Sequence, residues 1–204
     1  GRGEPTLAQS EASARQALDM ALGRGGDQAA IKNQSMYEFY GGVSKGVEKR
    51  TKVKTRIVAN ALSELIQNAD RVLVMGHKFG DLDCVGAAVG LAYAIRTIGK
   101  QADVVIDRDK TLAKILVDMV TGEGCGNLFT DPTEALYSIT EDTLLIVCDT
   151  HTVNLVESAE VYSRRKTVVV IDHHRKMVNH IDNAVIFYHE PYASSASEMV
   201  TELI

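Results

Sequence analysis

The sequence predicts an α/β protein: a doubly wound, mostly parallel β-sheet with helices on both faces, preceded by a short helix-strand segment. Three observations carry this expectation. Aliphatic, β-branched runs stand at Val72–Met75, Leu144–Cys148 and Val168–Ile171, and such a run is how a strand buried on both faces of a parallel sheet reads. Segments with apolar residues at helical spacing separate the runs, giving a strand-helix-strand rhythm. Acidic and imidazole residues follow each run: His77, Asp81 and Asp83; then Asp149 and His151; then Asp172, His173 and His174. Ligands of open α/β sheets bind outside the carboxyl ends of the strands, so one sheet edge is expected to collect all three groups.

Pro5 to Leu22 alternates at helical spacing and Gly23 stops it; Gly25-Gly26 makes a turn and Gln28 to Lys32 one short strand. One helix and one strand bury no core alone, so this is a remnant of a preceding domain or an appendage of the next one. Asn33 to Gly46, with Gly41-Gly42, reads as a linker or an ordered lead-in. The basic run of Lys49, Arg50, Lys52 and Lys54 reads as a solvated helix face, with contact to a phosphate or a neighbouring domain as the minority alternative. Val53 to Ala69 is expected to be helical, with Ile57, Ala61, Leu65 and Ile66 on one face. Strands then follow at Arg71–Gly76, Ala102–Ile106, Thr143–Cys148, Thr167–Ile171 and Ala184–Tyr188. Helices are expected at Val85–Ile98, Leu112–Val120, Pro132–Tyr137 and Asn154–Ser163, and Glu198 to Ile204 reads as a helix still in progress.

A chain of 204 residues, 45% apolar and 24% charged, suffices for one sizeable domain and a fragment of another. The net charge of −5 argues against a grip on long nucleic acid, which needs a basic surface. It leaves room for a small phosphorylated substrate held by metal ions. Cys84, Cys125 and Cys148 make no CxxC pair and fit a reducing cytoplasm. Cys148 reads as core, and Cys84 as a small residue opening a helix or a soft ligand. No apolar run approaches the roughly 18 residues of a membrane span, so no membrane contact is expected from this segment.

Carboxylate oxygens with a few imidazoles suit manganese, iron, magnesium or zinc, and two such ions can share the cluster. In His77-x-x-x-Asp81-x-Asp83 the chain turns at Gly80, so residues two apart can face different ions; the bland alternative is a solvated Asp-rich turn. Asp149 stands where an aspartate is often only a helix cap, and His151 is readable as a surface residue. In Asp172-His173-His174-Arg175, one histidine can bind metal while the other meets substrate. Asp172 would orient a histidine, and Arg175 offers a fork for phosphate. A polar strand terminus is the alternative there. Four of the six histidines lie in the three clusters, and every bland reading must hold at once to remove the site. A dinuclear metal site is therefore expected. His180 and His189 read as surface or structural, and Asp182 and Glu190 have no assigned place.

These residues resemble the DHH phosphoesterase superfamily, whose name is the motif Asp172-His173-His174. Gly76 to Asp83, Asp149-Thr150-His151 and Glu190 to Ser195 are similar to the cyclic-di-AMP phosphodiesterases of the GdpP type in particular. Leu18 to Gln28 looks like the last helix and strand of that family's degenerate GGDEF domain. The resemblance implies a domain remnant over residues 1–34, a lead-in over 35–54 and a DHH domain over 55–204, with the C-terminal DHH-associated domain absent. It implies a membrane-anchored bacterial parent protein whose present segment lies on the cytoplasmic side.

The resemblance also implies two divalent ions, manganese foremost. His77 and Asp81 would bind the first, Asp83 and His173 the second, and Asp149 both; His174 would contact the scissile phosphate, with Arg175 beside it. The implied reaction is hydrolysis of cyclic-di-AMP to linear 5′-pApA by activated water. The same site also suits a DHH-type nanoRNase, pAp phosphatase, exonuclease or pyrophosphatase. A nucleotide-binding regulatory module without turnover is the alternative of another class, and a homodimer is compatible with the sequence. Gly80 stands where a proline is usual and Cys84 where a serine is common. The family's last aspartate ligand falls beyond Ile204, which puts the hold on the second metal, and activity of this stretch alone, in question.

Overall fold

A computed structural model describes residues 4–23, 28–33, 36–41 and 52–204. The chain divides into two units, Gly1–Lys49 and Arg50–Ile204. The expected Gly25-Gly26 turn, with Lys49 and Arg50 of the basic run, lies outside the described residues.

In the first unit, α1 (Leu7–Gly23) buries Ala17 and Ala21. Strand β1 (Gln28–Asn33) pairs antiparallel with β2 (Met36–Gly41), Asn33 opposite Met36. Strand β2 falls where a linker or lead-in was expected. Its Met-Tyr-Glu-Phe-Tyr run has strong strand preference, and Tyr37 and Phe39 stack with ring centroids 6.4 Å apart.

The second unit is built on a six-stranded sheet in the order β5-β4-β3-β6-β7-β8. Its strands are β3 (Arg71–Met75), β4 (Ala102–Val105), β5 (Phe129–Thr130), β6 (Thr143–Cys148), β7 (Val168–Asp172) and β8 (Ile186–His189). All five pairings are parallel. Counted from β3, the order is 3-2-1-4-5-6, so the direction of winding reverses between β3 and β6. Period-two alternation within each strand feeds two separate cores. Val72, Val74, Leu144, Ile146, Val169 and Ile171 face α2 (Lys52–Asn68), α3 (Leu82–Thr97), α4 (Lys114–Val120) and α7 (Ala196–Leu203). Leu73, Met75, Leu145, Val147, Val168 and Val170 face α5 (Pro132–Ser138) and α6 (Ala159–Ser163), with Val156 and Ile181 filling in from loops. Each such aliphatic side chain, fully buried, contributes about 1.5–3 kcal/mol, so the strands that carry the site are anchored in the core.

Three departures from the sequence reading affect the site. Helix α3 begins at Leu82 rather than Val85, because the Asp81 side chain accepts from the amides of Asp83 and Cys84, both at 3.0 Å. The helix expected over Asn154–Ser163 is reduced to Ala159–Ser163. The stretch before it instead lies beside the β3 loop, where His77 and Val156 form an isolated antiparallel bridge. Strand β5, two residues long, was not foreseen; so short a segment carries no period.

Helix α7 docks closely on α3. A Cβ at Gly86 would lie 3.2 Å from the Ser197 hydroxyl, so the glycine permits the approach. The N-terminus of α7 is capped by Ser195, whose hydroxyl accepts from the Glu198 amide at 3.0 Å. Ser195→Ala is expected to lower unfolding free energy by about 1 kcal/mol in urea titration. An unchanged midpoint would show that the Asp83 carboxylate, described below, already caps this helix end.

Candidate metal centre

The groups gather at the carboxyl ends of β3, β6 and β7, beside the point where the winding reverses. Asp149 is central. It follows β6 in a left-handed conformation (φ 60°), costly for a non-glycine residue, and its side chain is 2% exposed. Its Oδ2 lies 3.5 Å from Nε2 of His77 and its Oδ1 3.4 Å from Nε2 of His173. Oδ1 is also 3.6 Å from Nδ1 of His174, yet this buried oxygen accepts no hydrogen bond among the described residues. An unsatisfied buried carboxylate oxygen costs several kcal/mol unless a cation compensates it.

The imidazoles are aimed by their other nitrogens. Nδ1–H of His77 donates to the carbonyl of Lys78 at 2.8 Å, and Nδ1–H of His173 to the carbonyl of Ala193 at 3.2 Å. Both bonds fix the proton on Nδ1, so that each ring, once neutral, presents a bare Nε2 toward Asp149, the state a metal ion requires. Asp81 uses Oδ1 for the α3 cap and stands with that oxygen 3.9 Å from Nε2 of His77. Asp83 points across to α7: its Oδ1 accepts from the Ser197 amide and its Oδ2 from that of Ala196, both at 2.8 Å, while Oδ2 is 3.6 Å from Nε2 of His173. Burial pushes the Asp83 carboxyl upward, but bonds from Ser197 and Ala196, with the charge of His173, prevail and hold it below its ordinary value.

Two buried residues complete the centre. Cys84 sits under the loop, its sulfur accepting from the His77 amide at 3.3 Å. Burial raises its thiol pKa. Ligand atoms of His77, Cys84 and Asp149 lie within 4.8 Å of one another, as do those of Asp149, His173 and His174. Asp172, wholly buried, accepts at Oδ1 from the amide (3.2 Å) and Nδ1 (2.8 Å) of His174, and at Oδ2 from Nδ1 of His151. His151 is therefore no surface residue. It is 2% exposed, and its Nε2 accepts from the Met177 amide at 2.8 Å. Its place in the second cluster pointed to the sheet edge, but the surface alternative stayed open because its partners lie more than twenty positions away.

Other residues fall outside the cluster. The Glu190 carboxylate meets Lys54 rather than the metal centre, and Asp182 is exposed. His189 reaches the carbonyl of His174 through Nε2. Arg175 is exposed on the rim of a cleft of about 600 Å³ lined also by His77, Asp81, Asp149, His174 and Met177.

Without metal, Asp149 foremost and Cys84 next raise the His77 pKa from 6.5 to about 11. Stability from this shift is fully present below pH 6.5 and is lost as pH rises through about 11. A metal ion needs the neutral ring, so loading at mildly alkaline pH is expected to release about one proton and to tighten with rising pH. Titration calorimetry in buffers of different ionisation enthalpy measures this. A binding heat independent of buffer contradicts it.

Among the described residues no helix is long and apolar enough to cross a membrane. The chain is 44% identical, over its whole length, to the cyclic-di-AMP phosphodiesterase GdpP of Geobacillus thermodenitrificans, and 40% identical over 94% of its length to that of Bacillus subtilis. It covers 32% and 30% of those proteins, so it spans about a third of the curated relatives it matches. The fold is similar to the crystal structure of an exopolyphosphatase-related protein from Bacteroides fragilis. The TM-score is 0.51 at 18% identity, over 72% of this chain and 42% of that one. Residues 71–204, which hold the ends of β3, β6 and β7 that form the candidate centre, match the model of the DHH family, N-terminal domain, and the chain belongs to that family.

Proposed function

We propose that this chain is the catalytic part of a metal-dependent phosphodiesterase that opens cyclic-di-AMP to linear 5′-pApA using two divalent ions, manganese foremost. One observation carries the reading: the buried Asp149 carboxylate, with His77 at Oδ2 and His173 near an Oδ1 that accepts no hydrogen bond among the described residues. That disposition suits a bridging ligand, with Asp81 joining His77 on one ion and Asp83 joining His173 on the other. The names of relatives at 40–44% identity support the substrate. Two bound ions would supply a lowered pKa for the attacking water and neutralise charge on the phosphoryl oxygens.

The chain's own residues do the rest. Lys78 and Ala193 carbonyls hold the imidazoles of His77 and His173 in the ligating tautomer. Asp172 fixes Nδ1–H of His174, so that Nε2 is the nitrogen offered to the scissile phosphate. Arg175, which lines the same cleft, would offer its fork to a second phosphoryl oxygen. Residues 1–34 would be the tail of a degenerate GGDEF-like domain and 55–204 the DHH domain of a membrane-anchored parent, on its cytoplasmic side.

A panel of cyclic-di-AMP, short oligoribonucleotides, pAp and pyrophosphate, offered to the intact protein with manganese, tests the reading. Cyclic-di-AMP is expected to give the highest kcat/KM, with loss on chelation and recovery on adding manganese. Preference for pAp or short RNA replaces the substrate assignment, and binding without cleavage of any member replaces the enzymatic one.

A further inference from the structure

We infer that His151 is a positioning residue that aims His174 at the phosphate by holding Asp172 between the two rings; this rests on the phosphodiesterase reading above. A buried imidazole is expensive unless both nitrogens are satisfied, and those of His151 are. Because the Met177 amide can only donate, Nε2 is the acceptor and Nδ1 carries the proton given to Asp172 Oδ2. The neutral tautomer is thus dictated by the backbone.

Asp172 is 0% exposed, and its bonds divide by origin. Oδ1 serves His174 twice, through the ring and through the amide, whereas the side-chain bond to Oδ2 comes from His151, on the loop after β6. His174 itself is 55% exposed at its side chain, so burial does little to fix its ring. Removing the His151 donor leaves a buried carboxylate oxygen short of a partner, and the carboxylate then turns to find one. The Nδ1 anchor of His174 turns with it. His151 further ties down the segment carrying His173, His174 and Arg175, through the Met177 amide and through its own carbonyl, which accepts from Ile181 at 2.8 Å.

These two tasks separate by substitution. In His151→Asn the amide nitrogen stands where Nδ1 stood and keeps the bond to Asp172. In His151→Gln the amide oxygen reaches the Nε2 position and keeps Met177, but the Asp172 donor is lost. With the intact manganese-loaded protein and cyclic-di-AMP, His151→Gln is expected to lower kcat by about 10–100-fold, with KM and manganese affinity each within about threefold of wild type. His151→Asn is expected to stay within about threefold of wild-type kcat. Unchanged kcat in His151→Gln, or an equal fall in both variants, overturns the inference. Should His151→Gln fail to fold, His151→Asn decides alone: wild-type turnover supports the role, and a fall as deep as that of Asp172→Asn overturns it. If the wild-type protein leaves cyclic-di-AMP uncut, the substrate reading is what has failed. Isotope-labelled histidine NMR of the metal-free protein then judges the inference separately. Loss of the hydrogen-bonded Nδ1 proton of His174 in His151→Gln supports it, and persistence of that signal overturns it.

Discussion

Under the proposed function, Asp149→Ala is expected to lower turnover of cyclic-di-AMP by about a thousandfold or more, because it would remove a preorganised charge from the centre of the reaction. The same carboxylate faces His77 at 3.5 Å and His173 at 3.4 Å, so under the proposed two-ion reading both positions would lose a ligand together. Manganese affinity should therefore fall at both sites, whereas a peripheral ligand such as Asp81 should weaken one. Asp149→Asn distinguishes charge from shape. It preserves volume and can keep one oxygen in place, yet brings a hydrogen-bond donor and no charge into a pocket proposed to hold cations. Its activity should fall nearly as far. The measurement is kcat and manganese stoichiometry of the intact protein by calorimetry. Turnover within tenfold of wild type, or two ions still bound with unchanged affinity, contradicts the bridging role.

Gly76→Ala is expected to destabilise the protein by about 3 kcal/mol and to displace His77 from the centre. A Cβ at this position would lie 1.9 Å from the Cys84 sulfur, closer than any non-bonded contact permits. The sulfur has little room to retreat, since Cys84 is 2% exposed at the start of α3 and holds the His77 amide. The backbone must move instead, and Gly76 immediately precedes the candidate ligand His77. The pair Gly76→Ala with Cys84→Ala removes the obstructing atom. The next contacts of the new Cβ, 3.4 Å to the Cys148 carbonyl and 3.6 Å to the Cys84 Cβ, are ordinary ones. The double variant should therefore recover most of the lost stability relative to Cys84→Ala, a large coupling for residues in contact. Thermal denaturation with manganese titration reads both effects. A single variant melting at the wild-type temperature, or a double variant no better than the single one, counts against this packing account.

Much of the fold was legible because burial on both faces forces continuous aliphatic runs. Val72–Met75, Leu144–Cys148 and Val168–Ile171 all lie in strands of one parallel sheet. What escaped reading was local in sequence but stabilised from afar. Strand β5 is only Phe129–Thr130, and β2 was obscured by its glycine-rich surroundings. The stretch after Asp149 lost its expected first helical turns to contacts with the β3 loop, including the Lys78 amide bonded to the Leu155 carbonyl at 2.7 Å. The burial of His151 and its partners stayed out of sight for the same reason. Hydrophobic periodicity is blind to a buried polar side chain whose partners, Asp172 and Met177, arrive from another strand end.

The amino-acid order by itself determined the chemical types available, carboxylates and imidazoles following three strands, since residue identity and strand pattern are both written locally. Tertiary structure alone decided the direction in which each donor atom points. The strand order 3-2-1-4-5-6 brings β3, β6 and β7 side by side, and distant carbonyls and amides then select tautomers and occupy oxygens. Asp83 illustrates the division: its acidity is in the sequence, while its engagement by the α7 amides more than a hundred residues away exists only once the two helices have packed.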